Sequence, residues 1–316
     1  MICTDFELIK AALTQGNLIG LPTETVYGLA ANAFNEEAIA KIFELKGRPK
    51  SNPLIVHIGR VNQMFELISE LPEPLKILSN LFWPGPLTLL IPKSERVSPL
   101  VTAGHSRIAI RMPNHPVALE LLQQLDFPLV APSANVSNRI SPTESAHVEK
   151  YFPEIYTLEG GPCKAGLEST IVGMEGTSLT VYRWGSISRE SIEDQVGKVL
   201  DRSGNAHQTI APGMGKKHYA PKCPLVVTKE PAFILSISKG KRIGVIWFDK
   251  IAWESPDVLA HEILSSTQNL EEAARNIFQA MHRLESYDLD LIIAERLPEF
   301  GLGISINDRL DRASVN

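Results

Sequence analysis

Three cations stand within five residues at Lys46, Arg48 and Lys50, in the run from Glu44 to Pro53. Gly47 and the flanking prolines hold this stretch in a fixed irregular loop. A rigid loop bearing Lys and Arg suits a polyphosphate. Cations also gather at helix C-termini to complement the dipole, and the segment alone leaves that explanation open. A second stretch, Ala131-Pro132-Ser133-Ala134-Asn135, follows an apolar run. Small polar side chains at a strand end line ligand sites in α/β folds, although a plain Asx or Ser turn reads the same way. Arg107 and Arg111 fall on one side of an alternating stretch whose other side is Ile108 and Ile110. Buried guanidinium groups there need anionic partners, either a ligand or an internal carboxylate. The turn Gly166–Ile171, and His57 at a strand end, say little singly. GxxxxGK[ST], GxGxxG after a strand, and HExxH are absent from the sequence.

The elements that must position these groups alternate between strand and helix. Strands are expected at 17–21, 54–58, 86–91, 107–111, 129–131, 170–172 and 179–183. A helix capped by Asn35 carries Glu36 and Glu37 in its first turn and ends at Gly47 and Pro49. Another starts near His115 with Pro116 in its first turn. The first part is therefore an α/β domain with mixed strands. Around 201–208 the chain turns polar and continues through Ala211-Pro212-Gly213-Met214 to Pro221, with the composition of a linker. A new α/β pattern follows. Residues 242–248 and 290–294 read as strands. Asn269 and Glu272 form a capping box for a helix reaching about Tyr287, and a Gly-rich turn lies at Gly301 and Gly303. The expected division is 1–200 for the first domain, 201–223 for the linker and 224–316 for a small second domain.

The 316 residues carry 44% hydrophobic and 21% charged side chains and a formal net charge of −5. That balance argues against a protein that grips nucleic acid through a broad basic surface, but allows a local basic pocket. Cys3, Cys163 and Cys223 are few, odd in number and far apart, which disfavours a disulfide framework or a thiolate zinc site. With no leader-like start and no apolar run of membrane-spanning length, a cytoplasmic location is expected, with no membrane partner.

Taken together the motifs resemble the YrdC-type domain of threonylcarbamoyl-AMP synthases, in the long two-domain form. The resemblance rests on Leu21-Pro-Thr-Glu-Thr-Val-Tyr-Gly-Leu-Ala30, Lys46-Gly-Arg48 with Asn52-Pro-Leu-Ile-Val-His57, and Trp83-Pro-Gly-Pro-Leu-Thr88. Arg111-Met-Pro, Ala131-Pro-Ser-Ala-Asn135 and Glu168-Ser-Thr-Ile171 follow in the family's order. It covers about the first 200 residues closely and the remainder more loosely. It implies a twisted mixed α/β sheet with a concave basic face, a linker, and a small Rossmann-like α/β domain. It also implies joining L-threonine, bicarbonate and ATP into threonylcarbamoyl-adenylate, with pyrophosphate released, for threonylcarbamoyladenosine formation in tRNA. Lys46 and Arg48 would be catalytic. Thr25, His57, Arg111, Ala131 and Ser169 would surround threonine. Arg48, Asn52, Arg107, Ser133, Asn135, Ser141, Arg183 and Met214 would serve ATP, Arg107 through its backbone. Mg²⁺ would come with ATP, held mainly by phosphates and water. Downstream partners would be threonylcarbamoyl transferase proteins, with a weak tRNA contact. The linker would act as a lid. Here the chain departs from the family, with Gly215-Lys216-Lys217 where an aromatic Tyr and a basic residue are usual. A non-catalytic double-stranded-RNA-binding module and a related carbamoyl-transfer enzyme are the alternatives.

Overall fold

The computed structural model describes residues 1–204, 210–215 and 218–315. Among these, eleven short strands make one sheet. In chain order they are β1 (Ile2–Cys3), β2 (Ile19–Leu21), β3 (Gly28–Asn32), β4 (Ile55–His57), β5 (Leu87–Pro92), β6 (Arg107–Arg111), β7 (Leu129–Val130), β8 (Tyr156–Leu158), β9 (Thr170–Glu175), β10 (Ser178–Arg183) and β11 (Leu200–Asp201). They lie side by side as β1-β8-β2-β3-β7-β4-β6-β5-β9-β10-β11. Parallel and antiparallel neighbours are mixed: β4 runs parallel to β6, while β5 runs antiparallel to it.

Period-two alternation gives the sheet two different faces. Val56, Leu89, Ile91, Ile108 and Ile110 enter a core closed by the helices Glu36–Lys46 and Glu73–Phe82, which contribute Ile39, Ile42, Leu75 and Leu78. Ile55, Leu90, Ala109 and Ile171 face the other way, where Ala211 and Met214 of the connecting segment cover them. The helix Glu36–Lys46 forms as its sequence dictates. Asn35 accepts the Ala38 N–H, Glu36 and Glu37 occupy the first turn, and Gly47 ends it at φ 59.

The second sheet holds β12 (Leu225–Thr228), β13 (Ile243–Trp247), β14 (Val258–Ile263) and β15 (Leu291–Glu295), all parallel, in the order β12-β15-β13-β14. Helices cover both faces, as a parallel sheet requires. Ile246, Ile292 and Ala294 pack under Leu270–Leu284 and Leu302–Ala313, and Val245, Trp247 and Ile293 pack with Leu235 of Pro231–Ile237. The first of these clusters also takes in Val26, Ile140, Leu167 and Tyr219, so the two units share buried apolar contacts. At that seam Gly166, with φ +73, approaches so closely that an added Cβ would lie 2.4 Å from Arg275 Cα.

The expected strands all form, with ends shifted by a few residues. One interior strand gives no sequence signal: β3 reads Gly-Leu-Ala-Ala-Asn, poor in β-branched residues, and is a strand because β2 and β7 flank it. The capping box at Asn269 needs correction. Asn269 does accept the Glu271 and Glu272 N–H groups, but the Glu272 carboxylate takes the Ser265 and Thr267 hydroxyls instead of the Asn269 N–H. Ser265 Oγ accepts the Asn269 N–H at 2.9 Å. Residues 205–209 of the expected linker, and Lys216 and Lys217, lie outside the described residues.

Candidate active site

Strand register builds the floor of the site. His57 on β4 pairs with Arg111 on β6, and Arg111 pairs with Thr88 on β5. Their side chains therefore fall on one face, the face of Ile55 and Ala109. Each is anchored. Thr88 Oγ1 lies 2.7 Å from Ser169 Oγ. Arg111 Nη1 donates to Thr25 Oγ1 at 2.7 Å and Nε to the Gly85 carbonyl at 3.3 Å. Arg111 Nη2 lies 2.7 Å from Glu24 Oε2, a charge contact whose angle falls short of a hydrogen bond. The internal-carboxylate explanation thus holds for Arg111, even though the same side chain borders the cavity.

His57 Nδ1 faces the Ile55 carbonyl at 3.2 Å. A carbonyl only accepts, so Nδ1 carries the proton and Nε2 is left as an acceptor. Burial and then the neighbouring Arg111 push its pKa down to about 3, which keeps the ring neutral.

The cation loop lies alongside. Arg48 donates from Nη2 to Asn52 Oδ1 at 2.6 Å and to the Pro53 carbonyl at 2.7 Å, and it borders the cavity. Burial, then Arg183, lowers its pKa to about 9, and Arg183 is lowered to about 10 chiefly by burial. Both penalties mark a site short of negative charge, which an anion in the cavity would relieve. Arg183 is itself fixed by the Ser169 carbonyl, from Nε at 3.0 Å and Nη2 at 2.8 Å, and by the Pro212 carbonyl of the connecting segment at 3.1 Å.

Lys46 is not a free phosphate hand in this structure. It is 1% exposed, and its ammonium donates to the Ser133 and Asn135 carbonyls. Burial, then Arg48, holds its pKa well below the ordinary lysine value. Lys46 thus ties the loop to the Ser133–Asn135 turn, which itself bridges to Gly28 through Ser133.

Of the residues chosen from sequence, Thr25, Arg48, His57, Arg111, Ala131, Ser133, Ser169 and Arg183 border one cavity. Asn52 stands behind Arg48, Asn135 holds the Val136 and Arg139 carbonyls, and Ser141 donates to Glu168 Oε1 at 2.7 Å. Met214 is buried in the sheet-covering cluster. Arg107 sits at the far end of β6, where Nη1 donates to the Met174 carbonyl and the Tyr182 hydroxyl. Its hydrogen-bond partners are neutral, a carbonyl and a phenol, and its guanidinium lies over the Tyr182 ring, so no internal carboxylate is hydrogen-bonded to it. Sequence reasoning missed Glu168, Pro212, Gly213, His218 and Tyr219 as cavity-lining residues. The Ala-Pro-Gly and His-Tyr runs carried a linker signal but no indication of which sheet face they would cover. Burial favours the neutral form of Glu168, yet Arg309, Arg183 and the Ser141 hydroxyl outweigh it and hold the carboxyl below its usual range.

The chain also matches known proteins in sequence and fold. Residues 11–185 match a family profile described as "Telomere recombination", of the Sua5, YciO and YrdC proteins, and residues 187–315 match one described as "Threonylcarbamoyl-AMP synthase, C-terminal domain". The chain is 38% identical to the threonylcarbamoyl-AMP synthase of Pyrococcus abyssi, across 96% of this chain and 92% of that one. It is 39% identical to that of Bacillus subtilis, across 96% and 91%. The crystal structure of P. abyssi Sua5 complexed with L-threonine superposes with a TM-score of 0.92 at 35% identity, covering 99% of this chain and 97% of that one.

Proposed function

The chain belongs to the threonylcarbamoyl-AMP synthase family, and we propose that its cavity joins L-threonine, bicarbonate and ATP into threonylcarbamoyl-adenylate, releasing pyrophosphate. One observation carries this reading: the Thr25–His57–Arg111 group opens into the same cavity as Arg48 and Arg183. Threonine brings an ammonium, a carboxylate and a hydroxyl. The Arg111 fork and the Thr25 and Ser169 hydroxyls suit its carboxylate and hydroxyl, and His57 Nε2 offers an acceptor to its amine. Ala131 forms wall. The phosphates fall to Arg48, Arg183 and Ser133, with Lys46, Asn52, Asn135 and Ser141 holding those groups from behind. Met214 and the Arg107 backbone are the outlying nucleotide positions.

Loss of water between the threonine amine and bicarbonate gives a carbamate. A carbamate oxygen attacks the α-phosphorus, and the bond to pyrophosphate breaks. The protein must align these reactants and stabilise charge on the leaving pyrophosphate, which is the task of Arg48 and Arg183. No covalent nucleophile is needed. Mg²⁺ would enter on the triphosphate and help to neutralise it. Among the described residues no group of three or more His, Cys, Asp and Glu could hold a metal ion, so we assign it no protein ligands. The reactive intermediates must be kept from water. Pro212, Gly213, His218 and Tyr219 line the cavity from the connecting segment, in keeping with a lid. The product would pass to threonylcarbamoyl transferase proteins acting on tRNA, with any direct tRNA contact weak. Among the described residues no helix is long and apolar enough to cross a membrane, and the proposed setting is the cytoplasm.

The test is pyrophosphate release by the full chain with each substrate omitted in turn. Release should need both threonine and bicarbonate. Equal release without threonine, or with any amino acid, contradicts the proposal.

A further inference from the structure

The last helix, Leu302–Ala313, belongs to the second unit but places one side chain behind the catalytic cavity. Arg309 is completely buried. Its Nε donates to Glu168 Oε2 at 2.9 Å and its Nη1 to Asp308 Oδ2 at 2.7 Å. Its guanidinium lies 5.4 Å from the centre of the Tyr219 ring, a cation–π arrangement. Glu168 and Tyr219 both line the cavity, whereas Arg309 does not. One turn further on, Arg312 holds the carbonyls of Gly215 and Ser203 at 2.5 and 3.2 Å, on the segment that joins the two units.

Charge explains why a buried arginine should stand there. Glu168 is a carboxylate in a cavity otherwise faced by Arg48, Arg111 and Arg183. In a site shielded from water, an uncompensated carboxylate would repel an entering triphosphate far more strongly than in bulk solvent. Its remaining oxygen takes only the neutral Ser141 hydroxyl. Arg183, the uncharged His218 and the Tyr219 phenol, which burial keeps neutral, are the other titratable groups around it. Arg183 spends its fork on the Ser169 and Pro212 carbonyls. Arg309 is therefore the cation that pairs directly with Glu168, and it comes from a part of the chain 141 residues away.

We propose that Arg309 is a positioning residue for the nucleotide: it cancels and fixes the Glu168 charge and seats the Tyr219 ring, so the second unit completes the ATP site. This rests on the synthase reading above, which threonine-dependent pyrophosphate release by the wild type decides separately. ATP affinity, measured by calorimetry with MgATP on the full chain, decides the role of Arg309 whether or not turnover is seen.

The comparison is a cycle of wild type, Arg309→Met, Glu168→Gln and the double variant, with folding checked by thermal unfolding. Arg309→Met should weaken ATP by about tenfold and threonine by less than about twofold, because the exposed charge acts on phosphate. With Glu168 made neutral, losing Arg309 should change ATP affinity by less than about twofold. An equal penalty in both backgrounds, or an equal loss for threonine, would mean that Arg309 only packs the seam, and would overturn the proposal. If Arg309→Met does not fold, Arg309→Gln, which also removes the charge but keeps a polar side chain, takes its place in the cycle with the same two outcomes.

Discussion

Lys46 and Arg48 sit two residues apart and do different work, and this difference can be measured. The Lys46 ammonium is spent on two buried carbonyls, those of Ser133 and Asn135. Lys46→Met strands both acceptors, at about 1–3 kcal/mol each. We expect the melting temperature to fall by about 4 °C or more, with turnover lost alongside. Arg48 faces the cavity, with its fork held by Asn52 and Pro53. Arg48→Lys should leave the melting temperature within about 2 °C of wild type while raising KM for ATP about tenfold, since a lysine cannot copy the fork. An unchanged melting temperature in Lys46→Met would contradict the clamp. The sequence showed both cations and their loop. It could not show which one turned inward, because that depends on a turn 87 residues away.

At the scale of elements, several strands were legible where alternation or an apolar run met a turn residue, as at Arg107–Arg111, which forms with the expected ends, while the apolar run of β12 after Pro224 was missed. The faces were legible too: Ile108 and Ile110 in the core, Ala109 and Arg111 opposite. β3 was not legible, because its small residues gain strand structure from neighbours brought in by the fold. The Leu270–Leu284 helix was read correctly as capped, but its cap is a relay: Glu272 holds Ser265, and Ser265 accepts the Asn269 N–H. Ser265→Ala and Glu272→Gln should therefore not add. Their double-mutant coupling, measured by denaturant unfolding, should be about 1 kcal/mol. Additive losses would restore the simple capping box.

At the scale of the whole molecule, the two units share a seam that composition alone does not reveal. Gly166 marks it. A Cβ there would meet Arg275 Cα at 2.4 Å and the Ala274 carbonyl oxygen at 2.5 Å, on a left-handed backbone. Gly240 has a similar φ of +78 and open space around it. Gly240→Ala should cost about 1–2 kcal/mol from backbone strain, and Gly166→Ala clearly more. Equal costs would contradict close packing of the seam.

Stability should also depend on acid in a definite direction. His57, His218 and His282 are pushed down to about 3, and His147 to about 4, chiefly by burial. Unfolded histidines take protons near pH 6.5, while these resist until much lower pH. Unfolding therefore takes up protons in between, so the stabilisation is whole above about pH 6.5 and is lost as pH falls toward 4. The denaturant midpoint should decline across that window, and a flat midpoint would show that the histidines are accessible.

If one cavity joins threonine, bicarbonate and ATP, its product carries all three. Incubation of the full chain with ATP, Mg²⁺, threonine and ¹³C-labelled bicarbonate, followed by mass spectrometry of the quenched mixture, reads this out. An adduct of threonine, one labelled carbonyl and AMP is expected, formed together with pyrophosphate. Pyrophosphate formed without that labelled adduct would contradict the joining of all three.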